Sequence, residues 1–406
     1  MHHTPRAPYR LAAPLLALTA ALAGCGGGGS SDSTPPAPGP APTQFSVTFT
    51  SPALEQNVYD VHTPIALQVR VDVNNAAAAN NTPVAFSAAA STMTPATAST
   101  VGGFATSTLN GSVAGPLQVQ ATATVSGYSA SASRTLYLRP PRQPLEILVP
   151  AYFNAGSNSP WEQLISGARS HPDVPITAIL NPNNGIFTTA DPEFVKAIKA
   201  FKATSTSGNR QVIGYVSTDY GNNSRRSRAD ILANVNAYLT QYAPTDGVTL
   251  IDGIFLDEMA ATNERLPFYR DIYDGIKTPN PRLRVIGNPG TFPTAAYSAL
   301  ADALVTFEGQ AVAYQSIDPQ PFNTWVYNKA NAAQVMLMHD ANCTAMQSAL
   351  QRADLARTNT GMVYATNLHF NFSTGAGNPW ADLPVYWTNL LGTVSALNSN
   401  RTLPNC

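Results

Sequence analysis

Charge is scarce in this 406-residue chain: 12% of residues are Asp, Glu, Lys or Arg, and 23 basic against 24 acidic residues leave a net charge of −1. With no basic run to neutralise phosphates, nucleic acid is excluded as a partner. The six histidines form no His-x-x-x-His or His-Glu-x-x-His pair, so no metal site is expected. There is also no Gly-x-Ser-x-Gly elbow and no Gly-rich phosphate cradle, so neither a serine hydrolase nor a cofactor is called for. Long apolar runs are missing too. The run from Leu11 to Leu22 is too short to cross a bilayer as a permanent helix.

That run has a different use. Arg6 and Arg10 precede it and Leu22-Ala23-Gly24-Cys25 closes it, the layout of a secretory signal over residues 1–25. The closing tetrapeptide resembles the lipobox of bacterial lipoproteins, which implies lipidation at Cys25, a membrane partner through the lipid anchor, and location in the bacterial cell envelope. Residues 26–44 are Gly, Ser, Pro and Ala with little apolar bulk, and read as a tether. Of the three cysteines, Cys343 and Cys406 are then left over, and an oxidising compartment predicts a disulfide between them.

Over residues 45–140 the chain turns to short alternating runs. Ile65-Ala-Leu-Gln-Val-Arg-Val-Asp-Val and Leu117-Gln-Val-Gln-Ala-Thr-Ala-Thr-Val alternate apolar and polar residues with period two, between Asn/Gly turns. This predicts a small all-β sandwich. Pro83-Val-Ala-Phe-Ser and Gly102-Gly-Phe-Ala-Thr-Ser-Thr-Leu resemble bacterial Ig-like domains of the invasin/intimin kind. The segment carries no ionisable cluster, so a spacer or adhesive module is expected.

From residue 144 to 406 the period changes again. Eight strand-like runs, 145–151, 176–181, 212–218, 253–257, 284–288, 303–308, 334–339 and 362–367, alternate with segments that read as helices in each gap. Eight such units predict an α/β fold, a (β/α)8 TIM barrel. Nearly every run ends in a polar residue: Asn181, Thr218, Asp257, Asn288, Glu308, His339, Asn367. An open doubly wound sheet would concentrate them at one switch point instead.

The chemistry centres on Asp252-Gly-Ile-Phe-Leu-Asp257-Glu258 and on Glu308. A pair of carboxylates suits glycoside hydrolysis, because one must be protonated to assist the leaving oxygen while the other stays ionised. Asp257 and Glu308 are the candidate pair; Glu258 stands open between catalytic support and a helix N-terminal anion. Period two puts Leu304, Thr306 and Glu308 on one face of their strand. Tyr152, Tyr215, Tyr220 and Trp380 offer rings on which sugars stack, and Asn181, Thr218, Asn288, His339 and Asn367 complete the candidate substrate-binding set. A chitinase-type Asp-x-Asp-x-Glu fails because Phe255 and Met259 stand where acids are needed.

In order along the chain, Val149-Pro-Ala-Tyr, Ile179-Leu-Asn-Pro-Asn-Asn-Gly, Ile213-Gly-Tyr-Val-Ser-Thr-Asp-Tyr-Gly, Asp252-Gly-Ile-Phe-Leu-Asp-Glu, Gly287-Asn-Pro-Gly, Thr306-Phe-Glu and Asn378-Pro-Trp resemble the landmarks of the spherulin-four glycoside hydrolases. The resemblance implies an endo-acting hydrolase of galactosamine-containing polysaccharide, α-1,4-linked N-acetylgalactosamine in the fungal members. It places the acidic residues at Asp257, Glu258 and Glu308.

Overall fold

The computed structural model describes residues 41–371 and 373–406. The expected signal segment, Cys25 and residues 26–40 of the expected tether lie outside the described residues. Thr43, near the end of that tether, donates from its backbone N and Oγ1 to Asn74 Oδ1 at 2.8 and 2.9 Å.

Two five-stranded sheets come first. One orders Phe45–Ser51, Ile65–Val73, Phe104–Gly111 and Ser91–Thr94, with the two-residue strand Ala76–Ala77 paired to Ile65–Val73; the other orders Val58–Asp60, Tyr128–Arg139, Gly115–Val125, Pro83–Ala88 and Thr97–Ser99. Their alternation decides what is buried. Ile65, Leu67, Val69 and Val71 from one sheet meet Leu117, Val119, Ala121 and Ala123 from the other in a single core, while the intervening Gln and Thr side chains face water.

Eight parallel strands then close into a barrel: β1 (Glu146–Ala151), β2 (Ile176–Leu180), β3 (Arg210–Ser217), β4 (Gly253–Asp257), β5 (Arg284–Gly287), β6 (Ala303–Gln310), β7 (Gln334–His339) and β8 (Met362–Ala365). Pairing of Glu146 with Met362 and of Ile147 with Val363 makes the closure. The runs are continuous apolar stretches because these strands are covered on both faces; β2, β7 and β8 are buried throughout. Near the strand starts the interior is plugged by polar groups, with Arg284 bonded to Glu146 at 2.8 Å and to Gln211 Oε1 at 3.3 Å.

Helices α1 (Pro160–Ser170), α2 (Pro192–Lys202), α3 (Arg228–Gln241) and α4 (Leu266–Lys277) cover the first half. In α2, Pro192 opens the first turn, Asp191 caps it by accepting from Glu193 N at 2.8 Å, and Phe194, Ala197, Ile198 and Phe201 form the buried stripe. The expectation of a helix in every gap fails in the second half. After β5 there is only a 3-10 turn, Ala295–Ala299, and after β6 only the four-residue α5 (Ala311–Tyr314) and further 3-10 turns. Pro289 and Pro293 in the first gap and Pro319 and Pro321 in the second remove backbone donors and break any longer helix. Helices α6 (Cys343–Ala353) and α7 (Trp387–Asn398) resume the layer. Cys343, at the start of α6, is disulfide-bonded to Cys406 with the Cα atoms 5.6 Å apart. Among the described residues no helix is long and apolar enough to cross a membrane.

The sandwich packs where helix is missing. Val58 meets Val326 and Tyr327 of the 3-10 turn Thr324–Asn328 in a small apolar cluster, and the Tyr137 and Tyr327 rings lie 5.0 Å apart. Around it Asn57 and Gln320 exchange two amide hydrogen bonds at 2.9 and 3.1 Å. Arg139 donates to Asp60 at 2.7 Å and to Asn359 at 3.2 Å. Asn359 lies just before β8, so the contact is at the end of the barrel opposite the strand termini that carry the carboxylates.

Candidate active site

Strand β4 delivers Asp257 in register with Ser217 of β3, and the chain then turns sharply at Glu258, whose φ is +52°. A non-glycine residue in this left-handed region is uncommon, so the turn is held from outside. Thr218 Oγ1 donates to the carbonyls of Asp257 and Glu258 at 2.9 Å each, Tyr220 N donates to the Glu258 carbonyl at 2.7 Å, and Tyr269 Oη accepts from Ala260 N at 2.9 Å. Thr218 is fully buried. Its hydroxyl is thus committed to the backbone behind the carboxylates and not to the cleft.

Asn288, just past β5, joins the two candidate acids. Its Nδ2 donates to Asp257 Oδ1 at 2.7 Å and to Glu308 Oε2 at 2.6 Å. The sum of those distances caps the separation of the two oxygens at about 5.3 Å. The amide is oriented by its own turn, because Gly290 N donates to Asn288 Oδ1 at 3.0 Å and the Gly290 carbonyl accepts from Glu308 N at 3.0 Å. With φ at +67°, Gly290 occupies a conformation that a side chain would strain. The Gly287-Asn-Pro-Gly run is therefore a device that fixes the spacing of two carboxyl groups on β4 and β6.

Glu308 reaches this position by a route that simple alternation does not describe. Val305 pairs with Val335 and Phe307 with Met336, leaving Thr306 as the extra residue of a β-bulge. Beyond the bulge Glu308 falls in ladder register with Val305 rather than Leu304, so the expected grouping of Leu304, Thr306 and Glu308 does not hold. Bulges re-aim side chains in this way beside active sites.

Burial raises both carboxyls. Glu308 is pushed up to about 7 by burial first and by the charge of Asp257 second, against hydrogen bonds from Asn288 and Trp380. Burial also raises Asp257, but the Tyr215 hydroxyl, the Glu258 N–H and Asn288 all donate to it and pull the other way. Asp257 is thus the group supplied with donors for its ionised form, and Glu308 the one inclined to keep its proton. Burial, and next Asp257, holds the Tyr215 hydroxyl far above the usual phenol range, so it stays a neutral donor.

The other sequence candidates divide into two groups. Tyr152 stands edge-on to Tyr215 at 5.4 Å, and its hydroxyl, raised mainly by burial, also feels Asp257 and Glu308. Trp380 bonds Glu308 and packs against Tyr364 and His339, at 5.9 and 6.4 Å between centroids. The Asn181 Oδ1 is buried with no hydrogen-bond partner. Tyr220 is exposed at the rim. By contrast, Asn367 Oδ1 accepts from Val385 N at 2.8 Å and holds a loop. His339 is buried, with Nδ1 on Asp340 Oδ2 at 2.6 Å, and Asp340 also takes Nδ1 of His369. Glu258 turns its carboxylate to Ser217 Oγ at 2.5 Å. Ser217 is not among the sequence candidates, although it lies two residues beyond Tyr215 and so on the same face. Among the described residues no group of three or more His, Cys, Asp or Glu could hold a metal ion.

Comparison with known proteins places this geometry in context. The profile of Spherulin4, spherulation-specific family 4, matches residues 146–394, which is the barrel. Spherulin-4 of Physarum polycephalum is 31% identical over 166 residues, 41% of this chain and 45% of that protein. The chain therefore spans less than half the length of that relative. Among solved structures, the crystal structure of Aspergillus clavatus Sph3 in complex with GalNAc superposes with a TM-score of 0.50 at 20% identity, covering 62% of this chain and 98% of that one. At that identity the likeness is one of fold.

Proposed function

The chain belongs to spherulation-specific family 4, and from that premise we propose that it is a glycoside hydrolase acting through Asp257 and Glu308 on N-acetylgalactosamine-containing exopolysaccharide. The observation that carries this reading is the single Asn288 nitrogen bonded to both carboxylates, one of them raised to about 7. Desolvating two carboxyls beside each other works against stability, and is what acid and nucleophile roles require. The GalNAc in the Sph3 structure supports the sugar class.

The cap of about 5.3 Å on the bridged oxygens favours a retaining course, for which carboxyl groups lie about 5–5.5 Å apart, over an inverting one at about 6.5–9.5 Å. In an α-linked N-acetylamino sugar the 2-acetamido group lies on the face of the leaving group and cannot attack from behind. Asp257 attacks the anomeric carbon, and Glu308 gives its proton to the departing glycosidic oxygen as that bond breaks. Glu308, now ionised, takes a proton from water as the water oxygen displaces Asp257 from the anomeric carbon. Tyr215 and Asn288 hold Asp257 in place, and Trp380 and Asn288 hold Glu308. The cleavage is endo-acting on α-1,4 linkages in this proposal, and lipidation at Cys25 would keep the enzyme in the cell envelope.

The test is incubation of the protein with α-1,4-linked N-acetylgalactosamine polymer and analysis of the released sugars. A ladder of oligosaccharides, lost in Asp257→Asn and Glu308→Gln proteins, is the expected result. Stoichiometric binding with no product would instead make the chain a carbohydrate-binding or adhesive lipoprotein.

A further inference from the structure

The turn after β3 is strained without evident return in packing. Asp219 and Tyr220 are consecutive non-glycine residues with φ of +44° and +54°, directly against Glu258 at +52°. Each such residue is strained and persists only where its surroundings enforce it. Here they do: Tyr220 N is bonded to the Glu258 carbonyl, Gly221 N to the Thr218 carbonyl at 2.9 Å, and Asp219 pairs with Arg225 at 2.9 Å. Strain of this kind collects at active sites and ligand clamps. This turn pushes a tyrosine outward, 60% exposed, on the backbone segment that braces Glu258.

We propose that the exposed Tyr220 ring is the wall of a sugar subsite beside the Asp257/Glu308 pair and selects galacto-configured rings. The inference rests on the glycosidase reading and adds to it a residue that determines specificity. In a galacto-configured pyranose the axial 4-hydroxyl clears the opposite face, leaving contiguous C–H groups that an aromatic face covers. A gluco-configured ring offers a smaller patch there. The placement of the hydroxyl agrees: after burial, the charges that act most on it are those of Glu258, Asp257 and Glu308, all of which raise it. The backbone hydrogen bond from Tyr220 N to the Glu258 carbonyl also ties the platform to the turn that directly follows Asp257.

The test is calorimetric titration of the full chain, as Glu308→Gln to prevent turnover, with hexamers of α-1,4-linked N-acetylgalactosamine and of α-1,4-linked N-acetylglucosamine. Adding Tyr220→Asn, which suits the left-handed backbone, should weaken binding of the galacto hexamer about tenfold, the size of one aromatic contact, and narrow the galacto/gluco ratio. Tyr220→Phe should restore both. Unchanged affinity and ratio in the Asn protein would overturn the subsite, as would equal losses in the Asn and Phe proteins accompanied by a lowered Tm, which would make the turn merely structural. If binding responds as expected while wild-type protein releases no oligosaccharide, the subsite stands and the hydrolase reading falls.

Discussion

The sandwich and the barrel treat ionisable side chains in opposite ways. In the sandwich core the buried groups are Val, Leu, Ile, Ala and Phe, and charged residues sit at its surface or at its docking edge, where Arg139 finds Asp60 and Asn359. At the barrel mouth two half-buried carboxyls lie side by side, both raised by desolvation, and three non-glycine residues with positive φ, Asp219, Tyr220 and Glu258, stand beside them. Folding alone accounts for the first pattern. The second is strain and desolvation concentrated at one place, which is where function departs from the consistency that folding prefers.

The largest way to sharpen this contrast is to remove the carboxyls. Asp257→Asn and Glu308→Gln should each lower kcat by about 10²–10⁴-fold or more, as for loss of a nucleophile or general acid, without lowering Tm. Comparable activity in either variant would break the comparison. Reduction of Cys343–Cys406, or Cys406→Ser, should cost about 4 kcal/mol in the chain-entropy estimate for a separation of 63 residues, read from denaturant midpoints. An unchanged midpoint would show that the tail is held by packing alone. At the docking edge, Asp60→Ala leaves the nearly buried Arg139 short of a partner and should cost about 1–3 kcal/mol with kcat unaltered, since the edge lies at the opposite end of the barrel. A fall in kcat without a fall in Tm would tie the sandwich to catalysis.

The smallest effect is on pH. Glu308 in the folded chain sits at about 7 against its ordinary 4.5, so the native state holds this proton more tightly than the unfolded chain does. Its contribution to stability is full below pH about 4.5 and is lost as pH rises through about 7. Glu308→Gln should therefore raise Tm by a few degrees relative to wild type at pH 8 and change it little at pH 4. In wild-type protein kcat/KM should decline above about pH 7, as the acid loses its proton. A profile flat from pH 6 to 9 would reassign the acid.

Much of the barrel was legible because its strands are covered on both faces and so stand out as apolar runs ending in polar residues. The same feature hid the bulge at Thr306, since a run apolar on both faces carries no alternation for an extra residue to interrupt. The missing helices after β5 and β6 are marked by Pro289, Pro293, Pro319 and Pro321, but the alanine-rich 295–299 stretch still reads as helix from its composition alone. Strand-end polarity singles out Asp257, Asn288 and Glu308, which the structure brings into one hydrogen-bonded group. It could not separate them from Thr218 and Asn367, because a polar residue at a strand end satisfies backbone groups as readily as it faces a ligand. The bond between Trp380 and Glu308 joins a late loop to β6 and has no local signature.

The central claim is that Asn288 holds Asp257 and Glu308 at the spacing of a retaining pair. Proton NMR of the first sugars released from α-1,4-linked N-acetylgalactosamine polymer tests it most directly. The account predicts that the new reducing ends form as the α anomer and only later mutarotate. Initial formation of the β anomer would contradict the bridged geometry, and absence of any released sugar would contradict the proposed activity itself.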